Sequence, residues 1–204
     1  AIPAWEGELI PVSKEVALEV GKLRREIETR LRSGQTKEEV VKWLERELPI
    51  TKEAGEWLVD EIAEALETNT PIPTDKRLIV EGVGNYVVVH APFGTLINRT
   101  LGWVLGELLT AKLGTSIRVK TDSYRIALAF PGNAQPQTVI EVIQNLKPEH
   151  LNPILELTLK NSAIFKWRLL HVAKRFGTIR KDAELYRVNL SKILDTLAGT
   201  PIYE

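Results

Sequence analysis

The 204-residue sequence contains no cysteine and only three histidines, His90, His150 and His171. Disulfides and thiolate chemistry are thereby excluded, and a zinc site would need carboxylates to complete it. No stretch holds the roughly 18 uninterrupted apolar residues of a membrane span, and the N-terminus lacks a charged region followed by an apolar signal segment. A soluble, cytoplasmic chain with no membrane partner is expected. There is no GxxxxGK phosphate loop and no GxSxG, and Gly82-Val83-Gly84 offers two glycines without a third and without a helix behind them. His90 could be grouped with Asp122, Glu81 or Asp75 as a hydrolase, yet each has a simpler role as a cap, turn or edge residue. Neither a metal nor a cofactor nor catalysis is expected within this chain.

What is present is a large apolar fraction, 44%, enough to bury a sizeable core in one domain or two closely packed lobes. Formal net charge is zero, but the charges are unevenly placed. Residues 1 to 70 hold sixteen Asp and Glu against ten Lys and Arg, whereas residues 160 to 204 hold nine Lys and Arg against four Asp and Glu. A basic end on a neutral chain points to a polyanion, or to an acidic surface elsewhere in the same protein.

Hydrophobic periodicity predicts an α+β fold. Ser13 caps a helix reaching about Leu31, with Val16, Val20, Leu23, Ile27 and Leu31 on one face. Thr36 and Glu39 form a capping box for a shorter helix ended by Pro49, and Thr51 opens a third through Trp57, Leu58, Ile62 and Leu66. This N-terminal arm and three-helix lobe occupies residues 1–70, and residues 69 to 75 read as a linker. Residues 71–147 are expected to hold a four-stranded antiparallel or mixed sheet, ordered ββαββ, around a buried helix. Its strands are placed at 77 to 81, 85 to 91, 116 to 121 and 124 to 130, turning at Gly82 to Gly84 and at Asp122-Ser123.

The central stretch runs from Tyr86 to Leu113. Tyr86 to Val89 is so continuously apolar that both faces of its strand are expected to be covered. Thr95 is placed to cap the next helix, which is apolar nearly all round; Gly102 and Gly106 on one face imply close approach to the sheet. Gly114 ends it. Pro136 starts a helix through Leu146, and Pro148 and Pro153 flank a shorter one. The basic helical region, 148–204, includes a wheel at 162 to 176 with Phe165, Leu169, Val172, Ala173 and Phe176 on one face. Gly177 caps it, and a last helix is expected from about Glu184 to Leu197. A first residue other than Met and an end without tail character suggest an excised piece of a longer protein.

Three places could carry function. Lys166, Arg168, His171, Lys174 and Arg175 share the basic face with Trp167, and Arg180 and Lys181 follow. Lys and Arg hold phosphates while an indole stacks on a base; alternatively Trp167 is core and the cations pair with another domain's carboxylates. Trp5, in an extended arm, is either an anchor on the first helix or a stacking platform. His90, Thr95, Asn98 and Arg99 gather at the start of the central helix, where exposed N–H groups favour a phosphate; alternatively Thr95 and Asn98 merely satisfy the helix end.

Several motifs in order carry a family resemblance. Trp5-Glu6-Gly7-Glu8 precedes Pro11-Val12-Ser13 and Val20-Gly21-Lys22-Leu23-Arg24. Val89-His90-Ala91-Pro92-Phe93-Gly94 follows with Asn98 and Leu101, then Asp122-Ser123-Tyr124, Phe165-Lys166-Trp167-Arg168 and Ala173-Lys174-Arg175-Phe176-Gly177. Together they resemble the DEAD/H-associated domain of large helicase-related (Lhr-type) superfamily 2 helicases, with an archaeal character. The resemblance implies an accessory domain, following two RecA-like motors and a winged helix, in a 3′-to-5′ ATP-dependent helicase. Such a domain contacts the translocating strand of single-stranded or forked DNA or RNA. ATP and Mg belong to the motors, and the family's W-x-G-E motif gives Trp5 a base-inserting role. The alternative is a protein-interaction module docking the motors or a nuclease partner.

The isolated chain is expected to hydrolyse no ATP, since the groups that bind Mg²⁺-nucleotide are absent. Phosphate release by a rigorously purified sample would refute this.

Overall fold

In a computed structural model that describes residues 10–161, 163–180, 182, 193 and 196–197, the first three helices begin at the caps expected of them. Ser13 Oγ accepts from Val16 N at the start of α1 (Lys14–Arg32), and Thr51 caps α3 (Lys52–Glu67). At α2 (Lys37–Glu47), Thr36 and Glu39 form the reciprocal capping box. Ile27, Val40, Val41, Leu44, Val59 and Ile62 bury the lobe's core. Two expected core residues lie outside it: Val16 and Trp57 are 55% and 69% exposed. Trp57 lies about 200° round the helix from buried Gly55, at about 100° per residue, and so faces away.

Residues 69 to 75 are not a free linker. Ile72 and Thr74 are buried, and Gly21 of α1 lies so close that a Cβ there would sit 2.7 Å from Asp75 N. Arg25 holds the Asp75 carboxylate with two hydrogen bonds, Nε–Oδ1 at 2.7 Å and Nη2–Oδ2 at 3.1 Å. Buried Glu28 is held by Arg77 and by Arg32 Nε at 3.0 Å. A composition rich in Pro and Thr marked this segment as a connection, but its charge partners are about 50 residues upstream and leave no local pattern.

The sheet comprises β1 (Ile79–Val83), β2 (Tyr86–His90), β3 (Arg118–Thr121) and β4 (Arg125–Ala129), in the order β1-β2-β4-β3 and antiparallel throughout. The first hairpin turns later than expected, at Gly84-Asn85, with Gly84 at φ 60°. Gly82 lies within the strand, where a Cβ would meet Pro136 Cγ at 2.8 Å; this glycine serves packing against α5 (Pro136–Asn145) and not a turn. Val87, Val89, Ile126 and Leu128 are buried, whereas Tyr86 is 46% exposed. The sheet therefore has one buried face, correcting the expectation that β2 is covered on both.

Helix α4 (Thr95–Leu113) provides that cover. A Cβ at Gly102 would meet Thr121 Cγ2 at 2.8 Å and Val119 Cγ1 at 2.9 Å, and one at Gly106 would meet Val119 Cγ2 at 2.7 Å. Leu105 and Leu109 are buried with the strands and Val104 is buried too, while Leu96 is 61% exposed, so the helix is not buried all round. Its N-cap is Gly94, at φ 88°, and not Thr95. Thr95 Oγ1 instead accepts from Val12 N at 3.0 Å, while Thr95 N donates to Val12 O at 3.0 Å. Gly114, left-handed at φ 66°, ends the helix.

The chain divides into two compact units, Ala1–Leu146 and Lys147–Glu204. In the second, α6 (Pro148–Asn161) takes Pro153 inside it, where two flanking prolines were expected, and α7 (Ala163–Arg175) follows. Leu169, Leu170 and Ala173 are buried with Ile179 and Leu197. Phe176 is 72% exposed because the helix ends one residue before it; Gly177, at φ 75°, begins a turn that returns Thr178 N and Ile179 N to Ala173 O. Trp5, Lys181 and most of the expected last helix lie outside the described residues.

The hydrogen bonds from Arg25 hold the Asp75 carboxyl below its usual range. A depressed folded-state pKa contributes stability above the unfolded value, about 3.9, and loses it as pH falls further. Asp75→Asn is expected to melt earlier than the parent chain at pH 7, with the gap closing below about pH 4. A gap independent of pH would show that the pair does not support the seam.

Candidate nucleic-acid interface

Burial of Leu169, Leu170 and Ala173 fixes the rotation of α7 within its own unit. Trp167 is thereby 60% exposed, and Arg168, His171 and Arg175 are exposed beside it. Lys166 and Lys174 are half-buried at the margins. The indole is not core. Its ring centroid lies 4.2 Å from that of His171 with the planes tilted by 57°, so the two rings, four residues apart, form one surface. Arg180 pairs with Asp182, Nη2–Oδ2 at 2.8 Å, and its charge is matched locally.

At the start of α4 the four residues named from sequence do different things. Asn98 is fully buried; Nδ2 donates to Ala91 O at 2.8 Å and to Asp122 O at 3.0 Å, tying the end of β2 to the β3–β4 turn. Thr95 Oγ1, besides receiving Val12 N, lies 2.9 Å from Ser123 Oγ. Gly94 N donates to Ser123 O, and a Cβ at Gly94 would come within 2.8 Å of the Val12 and Ser13 carbonyls. Val12 and Ser13 thus lie across the helix N-terminus. His90 Nε2 is 3.0 Å from Glu81 Oε1, and Arg99 is exposed.

Beside this region a cleft of about 470 Å³ opens between the helical lobe and the sheet, lined by Arg24, Glu61, Glu81, His90, Tyr124 and Arg125 among others. Arg24 is paired there with Glu61 and Arg125 with Asp122 at 2.9 Å, and His90 is hydrogen-bonded to Glu81. Of these, Arg24, Glu61, Tyr124 and Arg125 were not singled out as site residues from sequence, because a cleft between two layers joins residues with no common period. No group of three or more His, Asp or Glu among the described residues could hold a metal ion. Nor is any described helix long and apolar enough to cross a membrane.

The chain belongs to the DEAD/H associated family, whose model matches residues 72–204. It is 26% identical over 199 residues to the ATP-dependent helicase Lhr-Core of Saccharolobus solfataricus, covering 94% of this chain and 23% of that protein. It is 26% identical over 180 residues to the ATP-dependent helicase Lhr-Core protein 2 of Thermococcus barophilus, covering 85% of this chain and 20% of that protein. Among solved structures, the Mycobacterium smegmatis helicase Lhr bound to ssDNA and AMP-PNP has the same fold over 100% of this chain and 26% of its own. The TM-score is 0.68 and the identity 18%. The chain thus spans about a quarter or less of the proteins it matches.

The Asn98 clasp predicts a stability effect. Asn98→Ala leaves two carbonyls without their donor and is expected to cost about 1–3 kcal/mol of folding stability. Asn98→Asp, which sets a carboxylate against those carbonyls, should cost more at pH 7. Parent-like melting of both variants would show that the amide does not hold the turn.

Proposed function

We propose that this chain is the nucleic-acid-binding accessory domain of a 3′-to-5′ ATP-dependent helicase, contacting the translocating single strand by stacking and phosphate contacts. The observation that carries the reading is the exposed Trp167 on a helix face that also bears Arg168, His171 and Arg175. An exposed indole costs solvation unless something planar covers it, and guanidinium groups around it suit a phosphate backbone. Lys166 and Lys174 add positive charge at the margins of that face, and Arg180, whose charge Asp182 matches, and Lys181, outside the described residues, follow in sequence. Trp5 supplies a second stacking group, and of His90, Thr95, Asn98 and Arg99 it is the exposed Arg99 that offers a further phosphate contact, since Asn98 is fully buried and Thr95 and His90 are engaged with Val12, Ser123 and Glu81. Membership of the DEAD/H associated family and likeness to part of the Lhr-Core helicases support the accessory role.

In this reading the helical lobe (1–70), the sheet (71–147) and the basic region (148–204) act as one accessory domain in the cytoplasm. ATP and Mg are handled by RecA-like motors of the parent chain, with a winged helix between. The strand is single-stranded or forked DNA or RNA.

A second reading has its own observation. On the helical lobe a groove of about 530 Å³ has Val16, Leu23 and Trp43 in its lining, with Glu15, Glu26 and Glu47 around them and Glu19 paired with Lys22 at 3.4 Å. An apolar floor with an acidic rim suits a basic protein segment, as in docking the motors or a nuclease.

Charge reversal separates the two. Lys174→Glu with Arg175→Glu is expected to weaken binding of labelled single strands about equally for all sequences, and to lower the salt slope by about 0.7 for each phosphate no longer held. An unchanged slope would assign those residues to a protein interface. Trp5→Ala is expected to lose about 1–3 kcal/mol of strand affinity with folding intact. A loss of about 3–5 kcal/mol of folding stability with normal binding would make Trp5 a core anchor.

A further inference from the structure

The face of the sheet opposite α4 meets the cleft at Glu81, His90 and Arg125 and is exposed at Val83, Tyr86 and Arg118, and the residues on it fall into rows. Val83, Tyr86, Ala129 and Arg118 stand side by side across β1, β2, β4 and β3; Glu81, Val88, Ala127 and Lys120 form the next row. Helix α4 packs on the opposite face, through Val119, Thr121 and Ile126. Tyr86 and Val83 are 46% and 59% exposed, and Arg118 and Lys120 lie on the edge strand, Arg118 exposed.

We propose that this face is a second single-strand nucleic-acid surface, on which a base stacks on Tyr86 while Arg118 and Lys120 hold phosphates of the same strand. It rests on the reading of the chain as a nucleic-acid-binding module and adds a surface to it. Three features fit this occupant. Ala129, opposite Tyr86, is itself buried at 8% exposure, so in this row it is the half-exposed phenol ring, and not the strand beneath it, that offers a face to a planar base. Arg118 and Lys120 lie two strand spacings from Tyr86, about 10 Å, within reach of a nucleotide bridging ring and cation. Neither has a carboxylate partner among the described residues, whereas Arg125 is paired with Asp122, and Glu81 is hydrogen-bonded to His90. Arg118 and Lys120 both lie on β3, to one side of the ring, and give that edge of the sheet a positive field, complementary to a polyanion.

The test uses the whole chain with fluorescein-labelled oligodeoxythymidine and oligouridine, read by anisotropy across a salt series. Arg118→Glu with Lys120→Glu is expected to weaken both, with the salt slope falling by about 1.4, the value for two phosphates of a single strand. Tyr86→Ala is expected to weaken binding by about 5- to 150-fold with the slope kept, as when one stack is removed. Tyr86→Phe, which keeps the ring and its packing, should bind like the parent chain and controls for loss of fold. Sheet variants that fold and bind like the parent, while reversal at Lys174 and Arg175 weakens binding, overturn this proposal and leave the function above standing. A parent chain that binds neither oligomer overturns both. If Tyr86→Phe binds as weakly as Tyr86→Ala, the hydroxyl and not the ring is what matters, and the stacking assignment is wrong.

Discussion

Helix α4 lies on β3 and β4 with no side chain at two of its closest points, and the use of the whole sheet depends on that contact. Because a Cβ at Gly102 or Gly106 would fall inside 3 Å of Val119 or Thr121, the helix backbone settles onto the strands at a distance that larger residues would forbid. The apolar residues of β2 and β4 can then point one way, with Val87, Val89, Ile126 and Leu128 all buried. The alternate positions become free of any packing duty in this core. A four-stranded sheet satisfied from one side can present Tyr86, Arg118 and Lys120 on the other. The cost to α4 is about 1 kcal/mol of helix propensity per glycine, offset by burial of the strands beneath it.

A second constraint joins the helical lobe to the first strand. Glu28 is buried, and Arg77 and Arg32 both reach its carboxyl group, so neither of its oxygens is left without a partner. Arg25 and Asp75 repeat the arrangement close by. These pairs straddle the segment between α3 and β1 and, with Gly21 pressed against the backbone of Thr74 and Asp75, fix lobe and sheet as walls of one cleft. The position of His90 and Arg125 opposite Arg24 and Glu61 follows from this seam.

Most of the elements were legible from local signals. Ser13, Thr36, Thr51, Gly114 and Gly177 stand where caps were expected, since a cap depends on neighbours three or four residues away. Glycine was ambiguous for a physical reason: Gly82 and Gly84 look alike in sequence, but one accommodates Pro136 and the other supplies the turn. Thr95 reads as a cap and is instead a clasp to Val12, 83 residues away. Trp57 and Phe176 show the limit of the helical wheel, which cannot tell which of two apolar arcs faces inward or where a helix stops. The face of the sheet opposite α4 escaped notice because its residues come from four strands, and the register that aligns them is a tertiary fact. On α7 the wheel set Trp167 among the cations, and the burial of Leu169 and Ala173 leaves that face outward.

The function proposed for the chain is electrostatic and stacking in character. Cations concentrated where carboxylates are scarce, and aromatic rings left in solvent beside them, describe a surface that holds a strand without reading its sequence. The salt dependence of strand binding by the unaltered chain tests this most directly. Log affinity for labelled single strands is expected to fall linearly with log salt concentration, with a slope of several phosphates and little difference between homopolymer and mixed sequences. A chain that binds no single strand at low salt, or binds one with an affinity indifferent to salt, would contradict it.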